Sequence, residues 1–247
     1  MDTASPPPDA QRDGWSRLSP LALREGITTQ AQVHGALREA LISGYFQPGE
    51  EISLRRAAAA LGTSVTPVRE ALRQLESDGA LEVFGGNRVL RLPILSEAEL
   101  TDIRDIRVNL EGFAADQAAG HITAAQLRLI ANACALMHRA ARTGDADLYL
   151  ENNWRFHALI YRAAGRPVLM GLIEGMWLRM GPVIRLAVAA PDHLARSMAS
   201  HDAALQAARA GDATALKAAI VRDIADAAAD LAGTLRRWEA ARGAARG

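Results

Sequence analysis

The 247-residue chain lacks the features that mark secreted, disulfide-bonded and membrane proteins. Its single cysteine, Cys134, cannot form an internal disulfide, so we expect a small buried thiol in a reducing compartment. It has no apolar run of about eighteen residues, and its first residues show neither the basic head nor the apolar core of a signal peptide. These absences predict a cytoplasmic location.

The chain also lacks net charge, because 28 Lys and Arg residues balance 28 Asp and Glu residues. A nucleic-acid site therefore cannot depend on a positive field over the whole molecule and requires cationic side chains on one small surface. Lys217 is the only lysine, so nearly all of the positive charge is carried by guanidinium groups, which suit bidentate contacts with phosphate, carboxylate or guanine. Aromatic residues make up only 4% of the chain, which disfavours a large aromatic ligand.

The composition, 49% apolar and 23% charged, is that of a folded protein, and the length is sufficient for two domains. Residues 1–28 are rich in proline and poor in core-forming residues, which predicts a flexible arm. Residues 29–93 predict three short helices and a hairpin, and residues 96–240 predict six helices separated by glycine and proline turns. The predicted fold class is mainly α: an N-terminal winged helix-turn-helix with a small β-hairpin wing, then a C-terminal all-α bundle.

The second and third predicted helices have the pattern of a DNA-reading unit. A short helix over residues 54–61 is followed after a tight turn by a helix that begins near Ser64 and Thr66. The polar face of this helix carries Arg69 and Arg73, and the hydroxyls at its start can donate to phosphate. The open alternative is that the two arginines only solvate a surface helix, paired with neighbouring glutamates.

Pro48-Gly49 and the sequence TPVREAL at residues 66–72 are typical of one family. With them, residues 30–93 closely resemble the winged helix-turn-helix of the GntR family of bacterial transcription regulators. The resemblance implies that operator DNA is contacted by Arg55, Ser64, Thr66, Arg69 and the wing-tip residues Gly85 and Gly86. Val65 stands where the family usually has arginine, so a cationic contact is missing and an apolar group can touch a thymine methyl instead.

The second domain places a cation on an apolar helix face. Arg107 falls within the stripe formed by Leu100, Ile103 and Leu110. Burying an unpaired guanidinium is costly, so Arg107 requires an anion. That anion is either Glu111, one turn away, or the carboxylate of a ligand, and the sequence leaves both open.

Four more polar residues share apolar faces on three later helices. Asn153 and His157 lie one turn apart on one helix, His201 lies on the next-to-last helix, and Asp223 lies on the last. Helical bundles build metal sites and polar ligand sites in this way, although a single inward histidine is more often a hydrogen-bonded core residue. We therefore expect these four side chains to converge.

Residues 97–235 resemble the FCD effector-binding domain, through the Arg107-Glu111 pattern and the Phe156-His157 pair. The resemblance implies a divalent metal held at the positions of Asn153, His157, His201 and Asp223. Here Asn153 replaces an expected aspartate and Asp223 replaces an expected histidine, so the set keeps two imidazoles and one carboxylate. Such a set can hold zinc, nickel or manganese. The alternative is a metal-free pocket in which these groups hydrogen-bond an organic effector directly.

Together these features predict a homodimeric repressor at the nucleoid that binds a pseudo-palindromic operator. A small carboxylate effector would bind Arg107, Asn153, His157 and His201 and alter operator binding. One alternative is a metal-dependent enzyme that uses His157, His201 and Asp223, although it leaves the DNA-binding pattern without a purpose. Another is an architectural DNA binder with an inert dimerisation bundle.

Overall fold

The computed structural model describes residues 14–85, 89–188 and 191–244, which contain nine α-helices and one two-stranded sheet. This arrangement confirms the predicted fold class. The strands are β1 (Glu82–Phe84) and β2 (Val89–Arg91), and a 3₁₀ turn covers Gly14–Arg17. The helices are α1 (Thr29–Ile42), α2 (Leu54–Ala60), α3 (Val65–Ser77), α4 (Glu97–Ala118), α5 (Ala124–Thr143), α6 (Ala146–Ala163), α7 (Pro167–Val188), α8 (Pro191–Ala210) and α9 (Ala213–Ala244).

The helices α1 to α3 and the wing form the head of the molecule. The apolar face of α3 includes Val68, Leu72 and Leu75, which are buried in the head core, while its arginines stay on the opposite face. The N-terminus of α2 is capped by Ser53, whose hydroxyl accepts a hydrogen bond from the backbone N–H of Arg56. The helix α3 is therefore held on the head by its apolar side and presents its polar side outward.

The wing is an antiparallel hairpin in which Val83 pairs with Leu90. The chain before α2 joins its edge, because the N–H of Ile52 donates to the carbonyl of Leu90 and the N–H of Leu92 donates to the carbonyl of Glu50. These backbone hydrogen bonds fix the wing beside the helix-turn-helix unit.

Six helices, α4 to α9, form the body of the molecule. The helix α6 lies in its interior, and ten of its residues are buried. Capping boxes fix the starts of two helices: Ser96 and Glu99 at α4, and Thr123 and Gln126 at α5. The polar residues of interest project from the buried faces of α4, α6, α8 and α9.

The expected flexible arm over residues 1–28 is wrong for residues 14–17. The ring of Trp15 is only 5% exposed and meets the Phe46 ring edge to face, with centroids 4.9 Å apart. Arg17 forms an ion pair with Asp147 of the body at 2.8 Å and donates to the carbonyl of Tyr45 at the same distance. One aromatic anchor and one ion pair therefore hold this segment, and residues 1–13 lie outside the described residues.

The head and the body meet where the end of α1 packs against α7. A Cβ atom added at Gly181 would lie only 2.6 Å from the carbonyl oxygen of Ile42, so a glycine is required for this approach. The contact is completed by Arg185, which donates to the carbonyl of Gly44, and by the ion pair of Arg38 with Glu174 at 2.6 Å.

We expect Gly181→Ala to weaken this junction. The added methyl group must displace the end of α1, and such overpacking costs about 1–3 kcal/mol of unfolding free energy. The matched control is Gly175→Ala in the same helix, where an added Cβ meets no atom within 4 Å. Urea unfolding of the two variants checks this, and equal midpoints would show that the close approach is unimportant.

Candidate functional site

The outward face of the head carries the side chains that the sequence assigns to DNA. Arg55, Ser64, Thr66, Arg69 and Arg73 are all exposed. Among the described residues, neither Arg55 nor Arg69 forms an ion pair. Both guanidinium groups are therefore available to phosphate or to base edges.

Arg73 differs, because its Nη1 lies 3.0 Å from Oε1 of Glu70. Both side chains are largely exposed, so this pair is weak and readily exchanged for a phosphate contact. The hydroxyl of Ser64 makes no capping hydrogen bond to α3, which leaves it free to donate to phosphate.

The wing lies beside α3 across a groove that is lined by Arg69 and Arg73 on one side and by Val83 and Val89 on the other. Val65 is half-buried at the start of α3. Gly85, at the turn, is exposed and has φ +70°, a conformation that favours glycine. Gly86 lies outside the described residues.

In the body, the structure brings together Asn153, His157, His201 and Asp223, which are between 1% and 9% exposed. The Nε2 atoms of the two histidines are 3.2 Å apart. Oδ1 of Asn153 lies 2.9 Å from Nε2 of His201, and Oδ2 of Asp223 lies 3.3 Å from Nε2 of His157. We call these four residues the inner cluster.

The outer nitrogens of the two imidazoles fix their tautomers. Nδ1 of His201 donates to the carbonyl of Ser197 at 2.8 Å, since a carbonyl oxygen can only accept. The hydroxyl of Tyr161 donates to Oε2 of Glu111 at 2.6 Å and therefore accepts from Nδ1 of His157 at 2.9 Å. In the neutral form, both Nε2 atoms then point their lone pairs into the inner cluster.

This geometry fits a divalent metal ion. Nitrogen and oxygen ligands about 2.0–2.1 Å from zinc are roughly 2.8–3.4 Å from one another in octahedral or tetrahedral sites. The contacts between the inward-facing atoms of the inner cluster are 2.9, 3.2 and 3.3 Å. Two imidazole nitrogens, a carboxylate and an amide oxygen thus converge as electron-pair donors, with no hydrogen-bond donor between them when the imidazoles are neutral and Asn153 presents Oδ1.

The protonation of the inner cluster suits a cation. Burial and the neighbouring His157 lower the pKa of His201, despite the opposing effect of Asp223. Burial alone would raise the pKa of Asp223, but His201, His157 and Arg107 together hold it well below its usual range. At neutral pH the cluster therefore contains a carboxylate and a neutral His201 imidazole, which are the forms that bind metals.

Arg107 is buried and paired with Glu111, through Nε to Oε1 at 2.5 Å and Nη2 to Oε2 at 3.3 Å. Its guanidinium carbon lies 4.6 Å from the Trp177 ring centroid, and Trp177 Nε1 donates to Glu111 at 3.2 Å. Of the two alternatives in the sequence, the structure contains the internal pair. Nη1 of Arg107 makes no hydrogen bond within the described part of the chain, so one side of the guanidinium stays available.

Sequence reasoning missed the residues that orient the inner cluster. Ser197 lies one turn before His201, and its hydroxyl donates to Oδ1 of Asp223 at 3.2 Å. Tyr149 in turn donates to the Ser197 hydroxyl at 2.8 Å. Tyr161 follows His157 by one turn. Both Ser197 and Tyr161 therefore lie four residues from an inner-cluster histidine, and this helical spacing could have identified them as hydrogen-bond partners of the imidazoles.

The two domains match known families. Residues 29–90 match the bacterial regulatory proteins of the gntR family, and residues 102–226 match the FCD domain. The chain is a GntR-family transcriptional regulator. Its relatives are regulators and not enzymes, so the metal-dependent enzyme considered as an alternative is set aside.

Individual relatives support this membership. The HTH-type transcriptional regulator McbR of Escherichia coli (strain K12) is 32% identical over 63% of this chain and 70% of that protein. A protein of Paenarthrobacter nicotinovorans, described as a probable D-xylose utilization operon transcriptional repressor, is 30% identical over 80% of this chain and 86% of its own length. The solved structure of E. coli McbR/YncC aligns with a TM-score of 0.76 and 28% identity over 83% of this chain and 97% of that one.

No helix in the described part of this GntR regulator is long and apolar enough to cross a membrane. The GntR match assigns DNA binding to the head, and the FCD match assigns effector binding to the body. The inner cluster lies within the FCD match.

We expect Arg69→Ala to weaken specific DNA binding by at least about tenfold, because one good base contact is worth roughly 1–3 kcal/mol. The fold should be unchanged, since Arg69 is exposed and unpaired within the described chain. The probe is a duplex selected by the wild-type protein from a random-sequence pool, with affinity measured by fluorescence anisotropy. Arg142→Ala, at an exposed position of the body, is the control. Equal affinity for the two variants would contradict the role of Arg69.

Proposed function

We propose that this regulator is a homodimeric repressor in which the inner cluster holds a divalent cation and a small carboxylate effector completes the site. The observation that carries the proposal is the convergence of four electron-pair donors, His157, His201, Asp223 and Asn153, in a buried position. When bound, the cation would act as a Lewis acid that attracts an anionic ligand. The repressor assignment is supported by the relative from Paenarthrobacter nicotinovorans, which is itself described as a probable repressor.

Several side chains of the body favour an anionic effector. Arg107 keeps its positive charge, because Glu111 raises its pKa against the opposing effect of burial. Asp223 supplies one negative charge, so a divalent cation held by the inner cluster retains an excess positive charge there. A carboxylate can balance that excess, and the free side of Arg107 can donate to it. In a metal-free protein, the same polar groups would hydrogen-bond an organic effector directly.

One continuous set of contacts joins the inner cluster to the head. The Trp177 ring packs against the His157 ring, with centroids 5.4 Å apart, and lies one turn before Gly181. Gly181 meets the end of α1, the first helix of the head. A ligand that prefers one position of α7 therefore also prefers one position of the head.

In the proposed homodimer, such a shift changes the spacing of two heads on a pseudo-palindromic operator. A typical allosteric coupling of about 1–3 kcal/mol would change operator affinity roughly 5- to 150-fold.

Metal binding by the inner cluster is tested with Mn²⁺, which prefers oxygen and imidazole ligands over thiolates. We expect His157→Ala to weaken Mn²⁺ binding at least about tenfold, because one inward nitrogen is lost. The protein is purified without a histidine tag and stripped with chelator, and free Mn²⁺ is measured by electron paramagnetic resonance. His121→Ala, at an exposed turn, is the control. Similar binding by both variants would remove the inner cluster as the metal site.

Asn153→Asp provides a gain-of-function test of the same site. The substitution replaces a neutral oxygen ligand by a carboxylate without a large change in size, so we expect Mn²⁺ to bind at least about tenfold more tightly. The measurement is the same titration. Unchanged or weaker affinity would show that Asn153 does not face a bound cation.

The effector is sought by a thermal-shift screen of carboxylates against the metal-loaded protein. A ligand at about a hundred times its dissociation constant should add about 2.7 kcal/mol of unfolding free energy. The same compound should change the affinity for the selected duplex, and both effects should be lost in His157→Ala. An architectural DNA binder with an inert bundle would show neither effect for any carboxylate.

A further inference from the structure

A second group of metal-binding side chains lies at the contact of α5 and α8. Cys134 and His138 are one turn apart on α5, and Asp202 lies on α8. The Cys134 thiol donates to Oδ1 of Asp202 at 3.5 Å, and Nε2 of His138 lies 2.8 Å from the same oxygen. One ligand atom from each side chain lies within 4.8 Å of the other two. We call these three residues the outer cluster.

The outer cluster differs from the inner cluster in its access to solvent. Cys134 is 2% exposed, whereas the side chains of His138 and Asp202 are 40% and 49% exposed. The thiol is therefore the buried member of the outer cluster, and the imidazole and the carboxylate are its solvent-exposed members. An ion can reach this position from solvent without opening the bundle.

We propose that Cys134, His138 and Asp202 form a second divalent-cation site, with the ligand chemistry that suits Zn²⁺. Zinc binds thiolate, imidazole and carboxylate ligands, and three protein ligands leave a fourth position for water. When the cation binds, the bond from Cys134 Sγ to the metal replaces the S–H bond, and the thiol proton leaves to solvent. The thiolate and the carboxylate of Asp202 together balance the double positive charge of the ion.

The outer site would tie α5 to α8 through bonds stronger than the present hydrogen bonds. Asp202 directly follows His201, so a cation at the outer site restrains the turn of α8 that carries an inner-cluster ligand. The outer site does not depend on whether the inner cluster binds metal, because the two groups share no side chain.

Cobalt distinguishes the two groups, because only the outer cluster contains sulfur. The full-length protein, without a tag, is stripped with chelator, kept in a non-thiol reductant and titrated with Co²⁺. We expect a thiolate-to-cobalt charge-transfer band in the near ultraviolet whose saturated intensity corresponds to one thiolate-bound ion per chain. The band should be absent in Cys134→Ser and should persist in His157→Ala, whose substitution lies in the inner cluster.

His138→Ala and Asp202→Asn test whether the three side chains act together. Each should weaken the Co²⁺ affinity measured from this band by at least about tenfold, because each removes or neutralises one ligand. Circular dichroism shows whether the variants keep the helical content of the wild type. The proposal is overturned if folded wild-type protein with a free Cys134 thiol gives no band. It is equally overturned if His138→Ala and Asp202→Asn both bind as the wild type does, since Cys134 would then bind alone.

Discussion

The burial of unprotonated ligand atoms constrains the body of this regulator. Nε2 of His157, Nε2 of His201 and the oxygens of Asp223 and Asn153 point toward one another where bulk water does not reach them. Buried acceptors that face one another are costly unless a proton or a cation lies between them. The surrounding hydrogen bonds of Ser197 and Tyr161 direct the imidazole protons outward, and this arrangement is the physical basis for the cation that we propose.

This constraint extends to the DNA-binding head through α7. The Trp177 ring packs against the His157 ring and against the guanidinium group of Arg107. Gly181, one turn later in α7, allows α1 to approach closely. Glu111 of α4 connects α6 and α7, because its carboxylate accepts hydrogen bonds from Tyr161 and Trp177 as well as from Arg107. A change at the cluster therefore acts on side chains that also touch the helix supporting the head. Such a shared element is what coupling between two sites requires.

Much of this arrangement could be predicted from the sequence. The period of 3.6 residues determines which side of a helix is apolar, so the inward placement of Asn153, His157 and Arg107 followed from spacing alone. The glycines and prolines between periodic segments likewise predicted six helices in the body. The glycine turn between two short alternating segments predicted the wing, and the family resemblance added which side chains of the head meet operator DNA.

Other features depend on contacts between elements, which local spacing does not determine. The meeting of Cys134 with Asp202 follows from how α8 packs against α5, and no pattern along the chain indicated it. The choice of Glu111 over a ligand as the partner of Arg107 required coordinates. Trp15 was missed because one aromatic residue in a proline-rich segment has no periodicity, although its burial holds the segment against Phe46.

The most direct test of the cation proposal is the protonation of the two imidazoles in the inner cluster. Nitrogen-15 NMR of histidine-labelled protein reports which ring nitrogen carries the proton and whether the other binds a metal. At saturating Zn²⁺, our account predicts protonated Nδ1 and metal-bound Nε2 in both His157 and His201. A proton retained on Nε2 of either residue at saturating Zn²⁺ would contradict it.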